Sequence, residues 1–417
     1  MLRTRALERR ARRQRHRAVA AVLVPLLCWA CGGDAASPPA DDIPARIRVV
    51  AGDTQFAAVA MPVRTAPQVE VQTAAGRPLP GVTVTFAVTD GGGWTTTSGA
   101  VTDASGRATT TWYLGPAPGS GHRLQAALAG GTLTTSFRAS ALPLEGDSTY
   151  AGRNDYIEFT AGSLPLIISA PHGGTMAPAE IPDRTSGETV LDTNTLELAN
   201  AIADAFRTST GKRPYLVLCR LSRTKLDANR ELGEAAQGSA QAGGAWREWH
   251  GFLDAATTAV EGTGSGLYID LHGHGHALAR LELGYLLSAS ELALSDAQLN
   301  TMALAAHSSV RALATRSPAG LAGLLHGPQS LGTLLEARGF AAVPSRLQPS
   351  PGSDPYFTGG YDTVRHGSQQ GGQVDAVQLE THRIGVRDTE ASRTAFAGAL
   401  VAALQEYFVA HYGRELR

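Results

Sequence analysis

Apolar and polar residues alternate in every extended run between Ile43 and Ala141, a period-two rhythm that admits strands with one buried face. The runs are ARIRVV, QVEVQT, VTVTFAVT, RATTTWYL, HRLQAAL and TLTTSFRA. They recur about every ten residues between Gly, Pro and Asp turns, which is the pattern of a small β-sandwich. Trp94 and Trp112 are expected in its core. After LPLEGD the rhythm changes. Strand-like runs (PLIISAP, PYLVLCRL, GLYIDLH, AVQLE) now alternate with runs of helical spacing. The helical runs are TLELANAIADAFRTST, DAQLNTMALAAHSSVRALAT and EASRTAFAGALVAALQEYFVAHY. Such alternation predicts an α/β region with a mostly parallel sheet. The fold class is therefore multidomain: an all-β sandwich over 43–141, then an α/β domain over 142–417.

The first 17 residues hold eight arginines and one acid, Glu8. A 12-residue apolar run follows from Ala18 to Trp29, then Ala30 and Cys31. A basic stretch, a short apolar stretch and a small residue make an export signal over 1–31. The run is too short to span a bilayer as a helix. CWAC-GGDAAS resembles a bacterial lipoprotein signal, which implies cleavage before Cys31 and its acylation. Cys28 stands where leucine is usual in that pattern. The alternative is a plain secretory signal. Residues 32–42, GGDAASPPADD, read as a flexible tether. The expected location is the cell envelope, lipid-anchored, or outside the cell without the lipid. The basic segment takes 8 of 36 basic and one of 37 acidic residues, leaving the remainder at a net −8. That charge excludes a phosphate-tracking surface, so nucleic acid is not an expected partner. Cys219, alone in YLVLCRL, is expected to be a small core residue.

Four polar clusters follow four apolar runs. His172 follows IISAP; Arg223, Asn229 and Arg230 follow YLVLC; His272 closes YIDLH; Glu380 closes AVQLE. In an open α/β sheet, ligands bind beyond the carboxyl ends of the strands, so these four clusters are expected to share one crevice. Histidines and carboxylates converging there suggest a mononuclear zinc hydrolase. Catalytic zinc commonly keeps three protein ligands and an open position for water. A carboxylate is then wanted as general base, and arginines clamp a substrate carboxylate in bidentate fashion.

The 43–141 segment resembles a bacterial Ig-like domain of the invasin type, through GRPLPGVTVTFAVTDGGGW, VTDASGRATTTWYLG and FRASA. That resemblance implies spacing or adhesion, with contact to a surface or glycan. From about Asn154 to Tyr412 the chain resembles the N-formylglutamate amidohydrolase family, a branch related to zinc carboxypeptidases. The phrases that carry it are SAPHGGTMAP, LDTNTLELA, SRTKLDANR, IDLHGHG, YFTGGYDTVRHG and VQLETHR. The resemblance implies one zinc ion held by His172, His272 and Asp192, with Glu188 and Glu180 as reserves for the third ligand. Thr175 stands where the related peptidases place a glutamate. Asp192 can equally be read as a helix cap. The resemblance further implies Glu380 as general base, or a strand-end ion pair with Arg383. It implies Asn229 and Arg230, assisted by Arg223 and Arg365, as binders of a substrate carboxylate. Asp270 suits orienting a histidine; His274 and His276 match no ligand position. The implied activity is cleavage of an amide beside a carboxylate, in a small acidic amide or a peptide. Poly-γ-glutamate-type hydrolysis and an adhesin with an inactive hydrolase domain remain the alternatives.

Overall fold

The computed structural model describes residues 42–417; the signal, the tether through 41 and Cys31 lie outside the described residues. Residues 46–142 are built almost wholly of strands. One three-stranded sheet joins Arg46–Ala51, Gln68–Gln72 and Arg107–Thr109. A five-stranded sheet joins Gln55–Ala58, Thr134–Leu142, Gly119–Leu128, Thr83–Asp90 and Gly99–Val101. The alternation read in the sequence sends Val84 and Phe86 inward while Thr83, Thr85 and Ala87 face out. Trp112 is fully buried, as expected. Trp94 is not: it stacks on Tyr113 with ring centroids 4.1 Å apart, and the Arg247 guanidinium lies over it. It is a contact with the α/β region, because a short strand, Gly93–Thr95, carries it off the two larger sheets.

The α/β region is organised by one eight-stranded sheet. Its order is Thr149–Ala151, Ile157–Thr160, Tyr215–Cys219, Leu166–Ala170, Gly266–Gly273, Val374–Thr381, Leu281–Gly284, Ala342–Val343. The four central strands are parallel; antiparallel strands flank them on both sides. The sheet is thus mixed, where the sequence predicts a mostly parallel one. Only the outermost pair is joined by a short link, 152–156; Ile157–Thr160 and Leu281–Gly284 run antiparallel to partners distant in sequence, which no local pattern signals. Leu166–Ala170 is where the winding reverses. The chain crosses from it to Tyr215–Cys219 on one side, then to Gly266–Gly273 on the other. A crevice is expected at the carboxyl ends of the strands beside such a reversal.

Both faces of the sheet are covered, which explains the unbroken apolar runs of the central strands. Leu267, Ile269 and Leu271 join one core with helices Thr195–Thr210 and Glu390–Tyr407. Tyr268 points the other way, into a core built on helix Ala240–Glu261. The first of these helices matches its sequence run from end to end and stops at Gly211, which adopts a left-handed φ of 73°. The 296–315 run instead forms three short helices, Asp296–Leu299, Met302–His307 and Arg311–Arg316. Among the described residues no helix is long and apolar enough to cross a membrane.

The core on the Ala240–Glu261 side is continuous with that of the strand-rich region. Tyr113 donates a 2.9 Å hydrogen bond to buried Glu248, which also accepts from the Arg153 backbone at 3.1 Å. Tyr113→Phe leaves that carboxylate short of a donor. It is expected to destabilise the chain by about 1–3 kcal/mol, read as a lower denaturant midpoint with unchanged slope. An unchanged midpoint would show that this contact carries no load.

Candidate metal centre and its cavity

Three loops and two strand ends meet at the reversal point. His172 lies two residues beyond Leu166–Ala170, His272 next to last in Gly266–Gly273, and Glu380 next to last in Val374–Thr381. The parallel register sets His272 directly opposite Glu380. Isolated bridges Gly174–Ser222 and Met176–Leu221 continue the sheet pairing into the loops, so the His172 loop runs beside the 220–230 loop. Only glycine fits at 174: a Cβ there would sit 2.3 Å from the Arg220 carbonyl carbon.

His172, Asp192 and His272 are buried and bring one ligand atom each within 4.8 Å of the others. Asp192 Oδ2 lies 3.6 Å from His172 Nδ1 and 3.3 Å from His272 Nδ1. Behind each ring stands a second carboxylate. His172 Nε2 donates to Asp227 Oδ1 at 2.7 Å, and His272 Nε2 donates to Asp270 Oδ2 at 2.8 Å. An ionised carboxylate only accepts, so each Nε2 keeps its proton and each Nδ1 presents a lone pair toward Asp192. His172 Nδ1 is buried and makes no hydrogen bond. A cation satisfies that orphaned atom, its counterpart on His272 and the Asp192 carboxylate together, so the residues fit a metal ion. Two imidazoles and a carboxylate are a donor set that catalytic zinc uses. Burial alone would push His272 down; Asp270, Asp192 and Glu380 outweigh it and favour positive charge at this point.

Asp192 does not cap the helix that follows. Asn194 holds the cap position and the Asp192 side chain turns to the histidines, fixed by a 3.1 Å hydrogen bond from Gly273 N–H. Both reserve glutamates are exposed. Glu180 takes the Tyr156 hydroxyl, and Glu188 accepts from the Thr189 and Val190 backbone at 2.8 Å.

The centre opens on a cavity of about 310 Å³. Glu188, Arg223, Asn229, Arg230, Phe357 and Glu380 are among its walls. Glu380 is buried; that burial, reinforced by Asp192 against the opposing His272, pushes its carboxyl up to about 7. Gln378, on the same strand face, donates to Glu380 Oε1 at 2.8 Å. No ion pair links Glu380 to Arg383 among those found in the described residues. Arg230 lines the cavity, with Nε on Glu234 at 3.2 Å and Nη1 on the Asn229 carbonyl at 2.8 Å. Arg223 is more committed, donating through Nε to Asp227 at 3.0 Å. Asn229 has its amide against His272 Nε2 at 3.2 Å and accepts from Asp362 N–H at 2.8 Å. Both ends of its amide are therefore engaged by the scaffold where it borders the cavity. Arg365 is placed elsewhere, on Asp254 at 3.3 Å and over the Trp246 ring, so it is not brought to this cavity.

The other two histidines of IDLHGHGH are held by the scaffold. His274 Nε2 donates to the Arg280 carbonyl at 2.8 Å and Nδ1 accepts from His276 N–H at 3.2 Å, which leaves no lone pair for a metal. His276 bonds Glu282 at 2.9 Å and stacks on Phe357. Two residues the sequence reading passed over matter more. Asp227 sits inside the quoted LDANR and orients His172. Buried Arg387 donates to the carbonyls of Thr381 at 3.1 Å, His274 at 3.2 Å and Thr193. It thereby ties together the segments that carry Glu380, His272 and Asp192.

A scan of protein-family models gives no match, and a search of curated proteins gives none. Among solved structures the chain is similar to N-formylglutamate amidohydrolase from Ralstonia eutropha JMP134, at 17% identity and a TM-score of 0.36, covering 61% of this chain and 97% of that one. It is similar to an N-acetylmuramyl-L-alanine amidase from Mycobacterium smegmatis at 12% identity and a TM-score of 0.24, covering 58% and 95%. The D00–D0 domain of Intimin matches at 19% identity and a TM-score of 0.20, over 24% of this chain and 48% of that chain.

His172→Ala and His272→Ala are each expected to remove one bound metal ion per chain, and His274→Ala none. Asp227→Ala is expected to weaken the metal about 10–100-fold, the usual effect of losing a carboxylate behind a ligating histidine. Chelator competition measures both, and full affinity in His272→Ala would dismiss the centre.

Proposed function

We propose that the chain is a metal-dependent hydrolase that cleaves an amide bond beside a carboxylate, with zinc as the metal. One observation carries this reading: two Nδ1 lone pairs and the Asp192 carboxylate face a common point in a cavity that also holds a carboxyl poised near neutrality. When bound, the ion would supply Lewis-acid polarisation of the scissile carbonyl and ease ionisation of water. Glu380 takes a proton from the attacking water as the new C–O bond forms. It returns that proton to the leaving nitrogen as the C–N bond breaks, so the carboxylate is regenerated. Gln378 fixes the orientation of Glu380, and Asp227 and Asp270 fix the two rings. Arg230, whose guanidinium borders the cavity, holds the substrate carboxylate and aligns the amide.

An N-formylglutamate-like or N-acyl amino acid is the substrate class proposed first, with peptide and poly-γ-glutamate amides of the same charge as the nearest alternatives. An Ig-like role for the strand-rich region, export, and lipid anchoring at Cys31 belong to the same proposal and rest on the sequence. If labelled fatty acid enters the wild-type chain and not Cys31→Ser, the anchor stands; no label in either removes it.

Glu380→Gln is expected to lower kcat about 10²–10⁴-fold while keeping the metal. Because the base acts ionised and burial raises it to about 7, activity should rise with pH through neutrality. An acid limb near the ordinary glutamate value of about 4 would argue against Glu380. Arg230→Ala should raise KM for acidic amides and leave neutral analogues, already poor in wild type, little changed. Equal turnover of acidic and neutral amides by wild type would end the carboxylate reading, and a bound metal with no amide turnover would favour an inactive binding domain.

A further inference from the structure

Helix Ala240–Glu261 faces the short helix Tyr361–His366 across the sheet's second core. Each contributes a pair at i,i+4 spacing, which places both members on one helix face. The pairs are His250 with Asp254, and Asp362 with His366. His250, Asp362 and His366 are buried, at 1%, 0% and 5% exposure. Their ligand atoms lie within 4.8 Å of one another. None belongs to the centre described above.

The hydrogen bonds decide what this cluster can do. His366 Nδ1 lies 3.3 Å from Asp254 Oδ1, a carboxylate behind an imidazole that leaves the Nε2 lone pair pointing inward. That Nε2 meets His250 Nδ1 at 2.9 Å. A proton between the two rings would satisfy them alone. It would leave Asp362 Oδ1, 3.8 Å from His250 Nδ1, fully buried with no partner. The other oxygen of Asp362 accepts from Trp249 Nε1 at 3.2 Å, so the carboxyl cannot turn away without breaking that bond. A buried carboxylate without a cation is expensive. One divalent ion answers the two inward lone pairs and the orphaned oxygen together. His250 and Asp254 also line a cleft of about 190 Å³ with Trp94, Arg247 and Arg365, which brings solvent to the His250 side of the cluster.

We propose that His250, Asp362 and His366 form a second, structural site for a divalent metal of the zinc class, backed by Asp254. The ion pins the 361–366 helix to the 240–261 helix. Asp362 N–H donates to Asn229 Oδ1, and the Asn229 amide packs against His272 Nε2. The second site therefore sets the wall formed by Phe357, Gly359 and Gly360 and the position of Asn229, without touching substrate.

Cobalt(II) titration of chelator-stripped full-length chain, followed by its visible absorption, tests this. Wild type is expected to saturate at two equivalents, His366→Ala at one and His172→Ala at one. Saturation of His366→Ala at the wild-type value overturns the proposal, as does a His172→Ala chain that takes up none. The His172→Ala titration reads the second site by itself, so the test stands even if His366→Ala does not fold. If the first centre is the one that fails, wild type binds one equivalent, keeps it in His172→Ala and loses it in His366→Ala. That outcome upholds the second site while rejecting the first.

Discussion

The pairing of His272 with Glu380 across two parallel strands is the constraint on which the site depends. In a strand, side chains alternate between faces, so a slip of one residue would turn one of the two groups away from the cavity. The register is locked from both faces. Leu267, Ile269 and Leu271 are fixed in one core and Tyr268 in the other, and a one-residue slip would exchange them. Thr381 adds a 2.7 Å hydrogen bond to the His272 carbonyl. Once that register holds, the reversal of winding at Leu166–Ala170 brings His172 alongside, and the loop that follows brings Asp192.

The centre concentrates negative charge and then contains it. Asp192, Asp227, Asp270 and Glu380 lie around two imidazoles in a buried volume. Asp227 answers to Arg223 and His172, Asp270 to Ser169 and His272, and both are held below the ordinary carboxylate range against the upward push of burial. Glu380 lacks a direct cationic partner and rises instead. One carboxylate kept ready to take a proton, among others kept ionised to orient rings, is the division of labour that amide hydrolysis asks of a site.

Much of this was legible in the chain because the decisive signals are local. The four central strands are short apolar runs, and His172, His272 and Glu380 each stand at the end of one. What was hidden depends on contacts distant in sequence. Asp227 meets His172 across 55 residues, and Arg387 reaches Thr193 across 194. Helix Ala240–Glu261 begins AQAGGAW, where the small residues and paired glycines mask its period, yet it carries His250, Glu248 and Trp249. The 296–315 run has helical spacing throughout, but Ser295 with Gln298 forms a capping box and Thr301 restarts the chain in a new direction. Arg365 sits in a phrase whose earlier residues line the cavity, but its own side chain is drawn to Asp254 and the Trp246 ring on the 240–261 helix.

Anomalous scattering from crystals grown with zinc would locate the ion. A peak is expected within about 2.0–2.2 Å of Nδ1 of His172, Nδ1 of His272 and one oxygen of Asp192, with Asp227 and Asp270 still bonded to the far ring nitrogens. Absence of a peak there at full zinc occupancy elsewhere, or an ion bound through Nε2 with those two carboxylates displaced, would contradict this coordination.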